Sequence, residues 1–381
     1  MSTAPEADRL ARIALNLMAE PGDPQVCALA QEWGAAELRR RLLEPGSEEP
    51  GALDVATRLA QADPARQLER AARHGIRFVM PGDAEWPSGL DALAHAGVLS
   101  DRGGVPLGLW VRGPIRLDEL TSAVAVVGAR SATGYGSTTA ARIAADLGRA
   151  GVPVVSGAAF GIDEAAHRGA LSVGGATVAV LACGVDRVYP AAHRDLLEHL
   201  AAHGAVISEA PPGWAPMRVR FLARNRIIAA LARGTVVVEA ASRSGALNTA
   251  RWSSQLNRET MAVPGSVTSA TSEGCHRLIR DGAATLVTTA AEVLELTEPM
   301  GRVHPVEEPN PSGPRDRLGT RQRQVLDAVP AVQPAGTESI ARTAGIGVRE
   351  VHDVLTQLLA LGLVECADAR WRLSHRARAR H

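Results

Sequence analysis

The 381-residue sequence contains no lysine, so arginine supplies all 41 of its basic side chains. This absence excludes a Schiff-base lysine, a lysine general base and the lysine of a P-loop. Arginine can still bind a phosphate group through two parallel hydrogen bonds. The absence of lysine therefore excludes several enzyme mechanisms but is compatible with phosphate binding.

Cysteine pairs, aromatic residues and long apolar runs are also scarce. The four cysteines lie far apart without a Cys-x-x-Cys pair, which argues against a disulfide framework or a zinc site and favours a reducing compartment. Aromatic residues make up 3% of the chain, so a nucleic-acid ligand would be held mainly through its phosphates, with few stacked bases. Because 18 consecutive apolar residues occur nowhere, and the first residues lack a signal-peptide pattern, we expect a cytoplasmic protein without a membrane partner.

Positive charge is concentrated in one part of a chain whose formal net charge is zero. Between Met217 and Arg258 there are eight arginines and a single acidic residue, Glu239. The run Arg224-Asn225-Arg226 is predicted to precede a helix, and the apolar strand Thr235–Val238 follows. This concentration predicts a site for a phosphate-bearing ligand.

The central part of the chain alternates apolar strands with helical patterns, which predicts an α/β fold with a doubly wound, mostly parallel sheet covered on both faces. The predicted strands are residues 123–128, 152–157, 176–182, 205–210, 235–240 and 260–265. Ligands of such sheets bind at the carboxyl ends of the strands.

The same patterns divide the chain into five segments. We predict a small helical, SAM-like module over residues 1–80 and a core over residues 81–298 with a leading segment at 81–122. A Pro-rich linker (299–316), a winged-helix module (317–375) and a basic tail (376–381) follow.

Glycine-rich turns follow the predicted strands. Gly128-Ala129-Arg130-Ser131 follows the first strand and leads into a helix, as an anion-binding turn does. The second strand ends in Ser156-Gly157, without the acid that would hold the ribose of a nicotinamide cofactor, and we predict no cofactor.

Three acids near these turns have both structural and catalytic interpretations. Asp163 is interpreted as a helix-capping acid rather than a general base. Glu209 and Glu239 follow strands and could perform acid–base chemistry, but the many arginines nearby favour ion pairing with Arg224, Arg226 or Arg243.

The turn Ser242–Thr249 combines small residues, hydroxyl groups and a helix start. Such a turn is typical of an anion-binding nest, and Arg243 beside Ser244-Gly245 strengthens that interpretation. Ser244 does not lie in a Gly-x-Ser-x-Gly elbow, which excludes it as a hydrolase nucleophile of that type.

These motifs together resemble the DNA-processing protein A family (DprA, also called Smf). The resemblance runs from residue 126 to residue 283, in the family's order. The matching segments are VVGAR (126–130), SGAAFGID (156–163), YP (189–190), SEA (208–210), ARNRIIAAL (223–231), VVVEAASRSGALNTA (236–250), AVPG (262–265) and EGCHRLIRDGA (273–283). Ala191 departs from the pattern, because many members carry a basic residue there.

The resemblance implies an extended Rossmann-like core that binds single-stranded DNA without sequence specificity. It also implies a homodimer and a mediator role, in which the protein protects incoming single strands, displaces single-strand-binding protein and loads the RecA recombinase during DNA uptake. It implies no catalytic activity.

The family's roles carry over to residues of this chain by motif. The implied DNA-phosphate ligands are Arg130, Arg218, Arg224, Asn225, Arg226, Ser244, Gly245 and Thr249, and the anion-binding turn described above adds Arg243 to this predicted set. Gly128, Ser156, Gly157 and Gly161 would shape the floor of the pocket, and His276, Ile279 and Leu286 would lie on the dimer surface.

Two other functions stay open at this point. A phosphoribohydrolase of the lysine-decarboxylase-like type has a related fold, but its Pro-Gly-Gly-x-Gly-Thr-x-x-Glu motif is replaced here by EAASRSGALNTA, without the catalytic glutamate. A winged-helix regulator would use Val348–Leu361, where Glu350 and Asp353 make an acidic face for a major groove.

Overall fold

A computed structural model describes residues 4–44, 59–298, 318–374 and 377. These residues form two compact units, one on each side of segment 299–317. The predicted linker (299–316) and all of the predicted tail (376–381) except Ala377 lie outside the described residues.

The first unit is built on a nine-stranded sheet in the order β1-β4-β8-β7-β6-β5-β9-β10-β11. Only β4 runs antiparallel to its neighbours β1 and β8, and every other pair is parallel. The strands are β1 (Ile76–Val79), β4 (Leu109–Arg112), β5 (Val124–Val127), β6 (Val154–Ser156), β7 (Thr177–Val180), β8 (Ala205–Ser208), β9 (Gly234–Val237), β10 (Glu259–Ala262) and β11 (Thr285–Leu286), with β2 (Val98–Leu99) and β3 (Arg102–Gly103) forming a separate hairpin.

Helices cover both faces of this sheet. They are α1 (Ala4–Met18), α2 (Pro24–Trp33), α3 (Ala35–Leu43), α4 (Pro64–Arg73), α5 (Gly134–Arg149), α6 (Ile162–Ser172), α7 (Arg194–His203), α8 (Arg218–Leu231), α9 (Ala246–Gln255), α10 (Glu273–Arg280) and α11 (Ala290–Thr297). Short 3₁₀ helices span Ser88–Ala94, Leu117–Ser122 and Ala191–His193.

The sequence of strand β5 is continuously apolar because both faces of the strand are buried. Ala125 and Val127 pack into a cluster with α8 and α9, whereas Val124 and Val126 pack into a second cluster with α5, α6 and α11. Because successive side chains of a strand point to opposite faces, a strand buried on both faces must be apolar throughout. The predicted doubly wound α/β fold is confirmed.

The second unit has helices α12 (Thr320–Ala328), α13 (Thr337–Ala344) and α14 (Val348–Ala360) and a three-stranded antiparallel sheet. Its strands β12 (Ala335–Gly336), β13 (Val364–Ala367) and β14 (Arg370–Leu373) are ordered β12-β14-β13. Val325, Leu355 and Trp371 lie in its own apolar core. These are the element types expected of a winged helix, and the assignment to that class stays a prediction.

Within the described ranges, no helix is both long enough and apolar enough to cross a membrane.

Candidate nucleic-acid interface

The order of the strands places a cleft between β5 and β9. The chain runs from β5 outward through β6, β7 and β8, and then returns to add β9 on the other side of β5. Loops that leave neighbouring strands in opposite directions open a crevice at such a switch point. Here the crevice is a cleft of about 730 Å³, lined mainly by the segments that follow β5 and β9 and by one side of α8, with Ala159, Asp163 and Thr271 from the segments after β6 and β10.

Eight of the nine predicted phosphate ligands line this cleft. They are Arg130, Arg218, Arg224, Asn225, Arg243, Ser244, Gly245 and Thr249, and Gly128 from the predicted floor joins them. These residues come from three separate segments of the sequence, and the fold brings them to one place.

Three of the lining arginines are exposed and unpaired. Arg130, Arg218 and Arg243 have no acidic partner within the part of the chain that the structure describes. The guanidinium of Arg130 lies 4.8 Å from the ring centroid of Phe221, a cation–π geometry that holds the arginine at the cleft wall. Unpaired guanidinium groups around a concave surface attract an anion and leave it several ligands.

Arg224 occupies the buried end of the cleft, with only 7% of its surface exposed. Its guanidinium Nη1 lies 3.7 Å from the Asp163 carboxylate, and its Nε has no hydrogen-bond partner in the described structure. Burial acts against the charge of Arg224 and lowers its pKa, although Asp163 opposes that shift. A phosphate entering the cleft would therefore meet a guanidinium whose donors are not fully used.

Gly157 makes room for this arginine. A Cβ at position 157 would lie 1.0 Å from Arg224 Nη1. Asp163 accepts hydrogen bonds from the amides of Gly157 (3.2 Å) and Ala159 (3.4 Å), so it organises the loop ahead of α6 rather than capping the helix itself. The loop, the acid and the arginine thus form one packed group.

The predicted anion-binding turn ends at the start of α9. Ser244 Oγ accepts a hydrogen bond from the amide of Ala246 at 3.3 Å, and Gly245 at the N-cap offers no side chain. Asn225 Nδ2 donates to Gly245 O (3.4 Å) and Asn248 Oδ1 (3.2 Å) and so ties the turn to α8. The amino-terminal end of α9, with its partial positive charge, is thereby held at the cleft.

The remaining floor residues act indirectly. Gly161 has a φ of 80°, and a Cβ there would lie 2.4 Å from Ala129 O. Glycine at this position therefore allows the loop before α6 to contact the loop after β5, next to Arg130. Ser156 is buried and donates to Val126 O at 2.6 Å. Neither Ser156, Gly157 nor Gly161 lines the main cleft.

The structure corrects the prediction for Arg226. Helix α8 begins at Arg218, so the Arg224-Asn225-Arg226 run lies within the helix and not ahead of it. Residues two apart on a helix point roughly 200° from each other around its axis. Arg226 therefore points away from the cleft, is fully buried and forms two hydrogen bonds to Glu209, of 2.6 and 2.7 Å.

The pairing expected for Glu239 is also wrong. Its carboxylate accepts hydrogen bonds from the Thr133 amide (2.9 Å), the Thr133 hydroxyl (2.6 Å) and the Thr271 hydroxyl (3.2 Å), with no arginine among these donors. Thr133 in turn caps α5, so Glu239 fixes the loop that follows β5. The pairing predicted for Glu209 is confirmed.

The predicted dimer residues lie on α10 and β11. Leu286, in the edge strand β11, is 48% exposed, whereas Ile279 is partly buried against the core. His276 Nε2 lies 3.1 Å from Gly265 O and joins α10 to the loop after β10. The dimer itself stays a prediction.

The sequence analysis gave no ligand-binding role to Phe221, Asp163 or Thr271, and all three line the cleft. The proximity of Phe221 to Arg224 in the sequence was an available signal, since residues three apart on a helix are neighbours. Thr271 follows β10 after an irregular loop, and no local pattern marks it.

Comparison with known proteins agrees with this geometry. Residues 77–298 match the model of the family described as DNA recombination-mediator protein A. A putative DNA processing protein DprA of Mycobacterium tuberculosis is 45% identical, over 94% of this chain and 92% of that protein. The DNA processing protein DprA of Streptococcus pneumoniae is 41% identical, over 51% of this chain and 68% of its own length.

Solved structures show the same fold. The X-ray structure of the Streptococcus pneumoniae protein superposes with a TM-score of 0.64 at 30% identity, over 78% of this chain and 99% of that one. The Helicobacter pylori DNA processing protein A, whose single-stranded DNA binding mode has been described, has a TM-score of 0.50 at 25% identity, over 57% of this chain and 94% of that one. The family match and the Mycobacterium tuberculosis relative together show that this chain belongs to the DNA recombination-mediator protein A family.

Proposed function

We propose that this protein binds single-stranded DNA, without sequence preference, by its phosphates in the cleft between β5 and β9. The observation that carries the proposal is the convergence of four arginines (Arg130, Arg218, Arg224 and Arg243) and the amino-terminal end of α9 on one cleft. Such groups bind phosphate but do not read base edges. The single-stranded DNA binding of the Helicobacter pylori relative supports the same ligand for this chain.

The proposed role is that of a recombination mediator without catalytic activity. In it, the protein protects incoming single strands, displaces single-strand-binding protein and loads a RecA-type recombinase, as a cytoplasmic homodimer whose contact includes α10 and β11. Family membership supports the mediator role. The acids nearest the cleft favour binding over hydrolysis, since Asp163 and Glu239 are both engaged with backbone amides or threonine hydroxyls.

A salt-titrated competition between single-stranded and double-stranded DNA tests the proposed ligand. We expect affinity for single strands that is tight, indifferent to sequence and steeply dependent on salt, because bound phosphates release counterions. Preference for duplex would contradict the proposal and would indicate that the second unit binds DNA, as the winged-helix regulator alternative requires. Absence of binding at low salt would contradict the proposal and favour the nucleotide-enzyme alternative.

Assembly needs separate measurements. Light scattering on the full chain should give the mass of a dimer, and Leu286→Asp should halve it because a charge would be buried at the contact. Recombinase loading should appear as faster filament assembly on single strands coated with single-strand-binding protein. A monomeric wild-type protein would contradict the proposed dimer but would not contradict the proposal that the protein binds single-stranded DNA.

A further inference from the structure

A second feature adjoins the cationic cleft, and it is aromatic. Phe160, in the loop after β6, and Tyr189, in the loop after β7, are 46% and 41% exposed. The chain contains only three phenylalanines and two tyrosines, so two of five such rings are presented to solvent at this one edge. Exposed rings in contiguous patches indicate a contact surface.

The two rings border a shallow cavity of about 40 Å³ that shares Arg130 and Phe221 with the main cleft. Apart from Arg130, its lining is uncharged and mostly apolar, with Leu181 and Pro190 beside the rings. The predicted phosphate ligands thus line the main cleft, the two exposed rings line the smaller cavity, and Arg130 borders both. The cavity is too small to enclose a base, so a ligand here must lie flat on the rings.

Hydrogen bonds and ring contacts connect the loops that carry the two aromatic residues. His193 Nδ1 lies 3.0 Å from Ala158 O, and His193 Nε2 lies 3.1 Å from Glu164 Oε2, so this side chain joins the loop after β7 to the loop after β6. The Phe160 ring packs edge-on against His193 at 4.7 Å between centroids, and Tyr189 packs against Phe221 at 5.8 Å. Ala158 itself adopts a φ of 51°, a conformation that costs energy and that recurs at ligand sites.

From this arrangement we infer that Phe160 and Tyr189 form a stacking shelf for unpaired nucleobases of the strand whose phosphates occupy the cleft. The inference rests on the proposed function and adds to it the element that selects single strands over duplex. In a duplex the base faces are stacked on their neighbours, so only an unpaired base can lie on these rings. Every base has such a face, so the shelf adds affinity without adding sequence preference.

The test compares two strands that carry the same number of phosphates. One is a fluorescein-labelled oligo(dT), and the other has the same length but abasic tetrahydrofuran sites in place of every base. Anisotropy titrations use the full chain, its Phe160→Leu/Tyr189→Leu variant and a matched control, Tyr135→Leu. Leucine keeps apolar contacts with His193 and Phe221 but has no ring face, and Tyr135 is an equally exposed ring (52%) outside the shelf.

We expect the double variant to bind oligo(dT) at least about fivefold more weakly than the wild type, which is the smallest effect expected for the loss of one stacked base. It should bind the abasic strand as the wild type does. The salt slope should be unchanged, because the phosphate contacts are unchanged. Equal losses on both strands, or a base-dependent loss in Tyr135→Leu instead, would overturn the shelf. If the double variant does not fold, Tyr189→Leu alone should give the same difference between the strands in smaller measure.

Failure of the shelf and failure of the proposed function have different signatures. A wild-type protein that binds both strands with equal, salt-steep affinity would refute the shelf and leave the phosphate cleft intact. A wild-type protein that binds neither strand would refute the proposed function itself.

Discussion

Arg224 and Arg226 lie two residues apart on α8 and point to opposite sides of it. Arg224 reaches into the cleft, 3.7 Å from Asp163, whereas Arg226 is fully buried and bound by Glu209 on the far side. One arginine is therefore available to a ligand, and the other supports the helix that carries it. Substitution of arginines that line the cleft should consequently weaken DNA binding, whereas substitution of Arg226 should weaken the fold.

Removing exposed arginines of the cleft should weaken DNA binding without weakening the fold. For Arg130→Ala with Arg243→Ala we expect lower affinity for every sequence and a shallower salt dependence. The logarithmic slope should decrease by about 0.7 for each phosphate of the single strand that the variant no longer neutralises. Arg251→Ala is the matched control, since Arg251 is an exposed arginine of α9 outside the cleft. A change in sequence preference with an unchanged salt slope would contradict the phosphate assignment.

Removing Arg226 should weaken the fold. Arg226→Ala leaves the buried Glu209 carboxylate without its positively charged partner, and we expect the free energy of unfolding to fall by about 3–5 kcal/mol. Urea unfolding measures this decrease. If Arg226→Ala instead kept its stability and no longer bound DNA, the buried role would be wrong.

Gly157→Ala should displace the Arg224 side chain although residue 224 itself is unchanged. The added Cβ would lie 1.0 Å from Arg224 Nη1, so the guanidinium must leave its place at the buried end of the cleft. We expect binding of single strands to fall toward the level of Arg224→Ala. Gly134→Ala serves as the control, because a Cβ there meets nothing within 4 Å, and it should bind as the wild type does.

The buried imidazole of His167 should make the fold sensitive to acid. Burial, followed by the nearby His193 and Arg224, lowers the pKa of His167 from 6.5 to about 3. Between these two values the unfolded chain binds a proton that the folded chain does not, so stability is complete above pH 6.5 and falls as the pH decreases.

The expected loss of stability from this histidine is about 1.4 kcal/mol for each pH unit, or about 2 kcal/mol between pH 6.5 and 5. Urea unfolding of the wild type and of His167→Gln at both pH values isolates it, because glutamine can still donate to Thr177, the partner of His167 Nδ1. Equal pH dependence in the two proteins would show that other groups cause the acid sensitivity.

The sheet and most of the cleft were predictable because their signals are local. Strands such as Val124–Val127 are buried on both faces and are therefore apolar runs, and the turns that follow them carry the glycines and hydroxyls of the cleft. Once the strands are recognised, their carboxyl ends converge by topology alone. That reasoning placed Arg130 and Ser244 together although more than 100 residues separate them in the sequence.

The start of α8 was not predictable from a local signal. Its N-cap residue, Met217, makes no side-chain capping bond, so no capping residue marks the boundary in the sequence. The burial of Arg226 depends on a contact across the fold, because Gly22 packs against its guanidinium and donates its amide to Glu209 at 3.1 Å. A contact between residues about 200 positions apart leaves no trace in a window of neighbouring residues.

The amino-terminal segment is joined to the rest of the first unit by polar contacts as well as by the apolar packing of Ile13 with Trp110. Glu20 forms two hydrogen bonds to Arg220 (2.9 and 2.7 Å), and Asn16 donates to Glu209 O at 2.9 Å. A fragment beginning after residue 80 would expose Arg220, Arg226 and Glu209, which the amino-terminal segment covers in the full chain. The amino-terminal segment is thus comparable to one subunit of an obligate complex, with the rest of the first unit as the other subunit. When it is added back as a separate peptide, it should bind the fragment and restore the fragment's solubility.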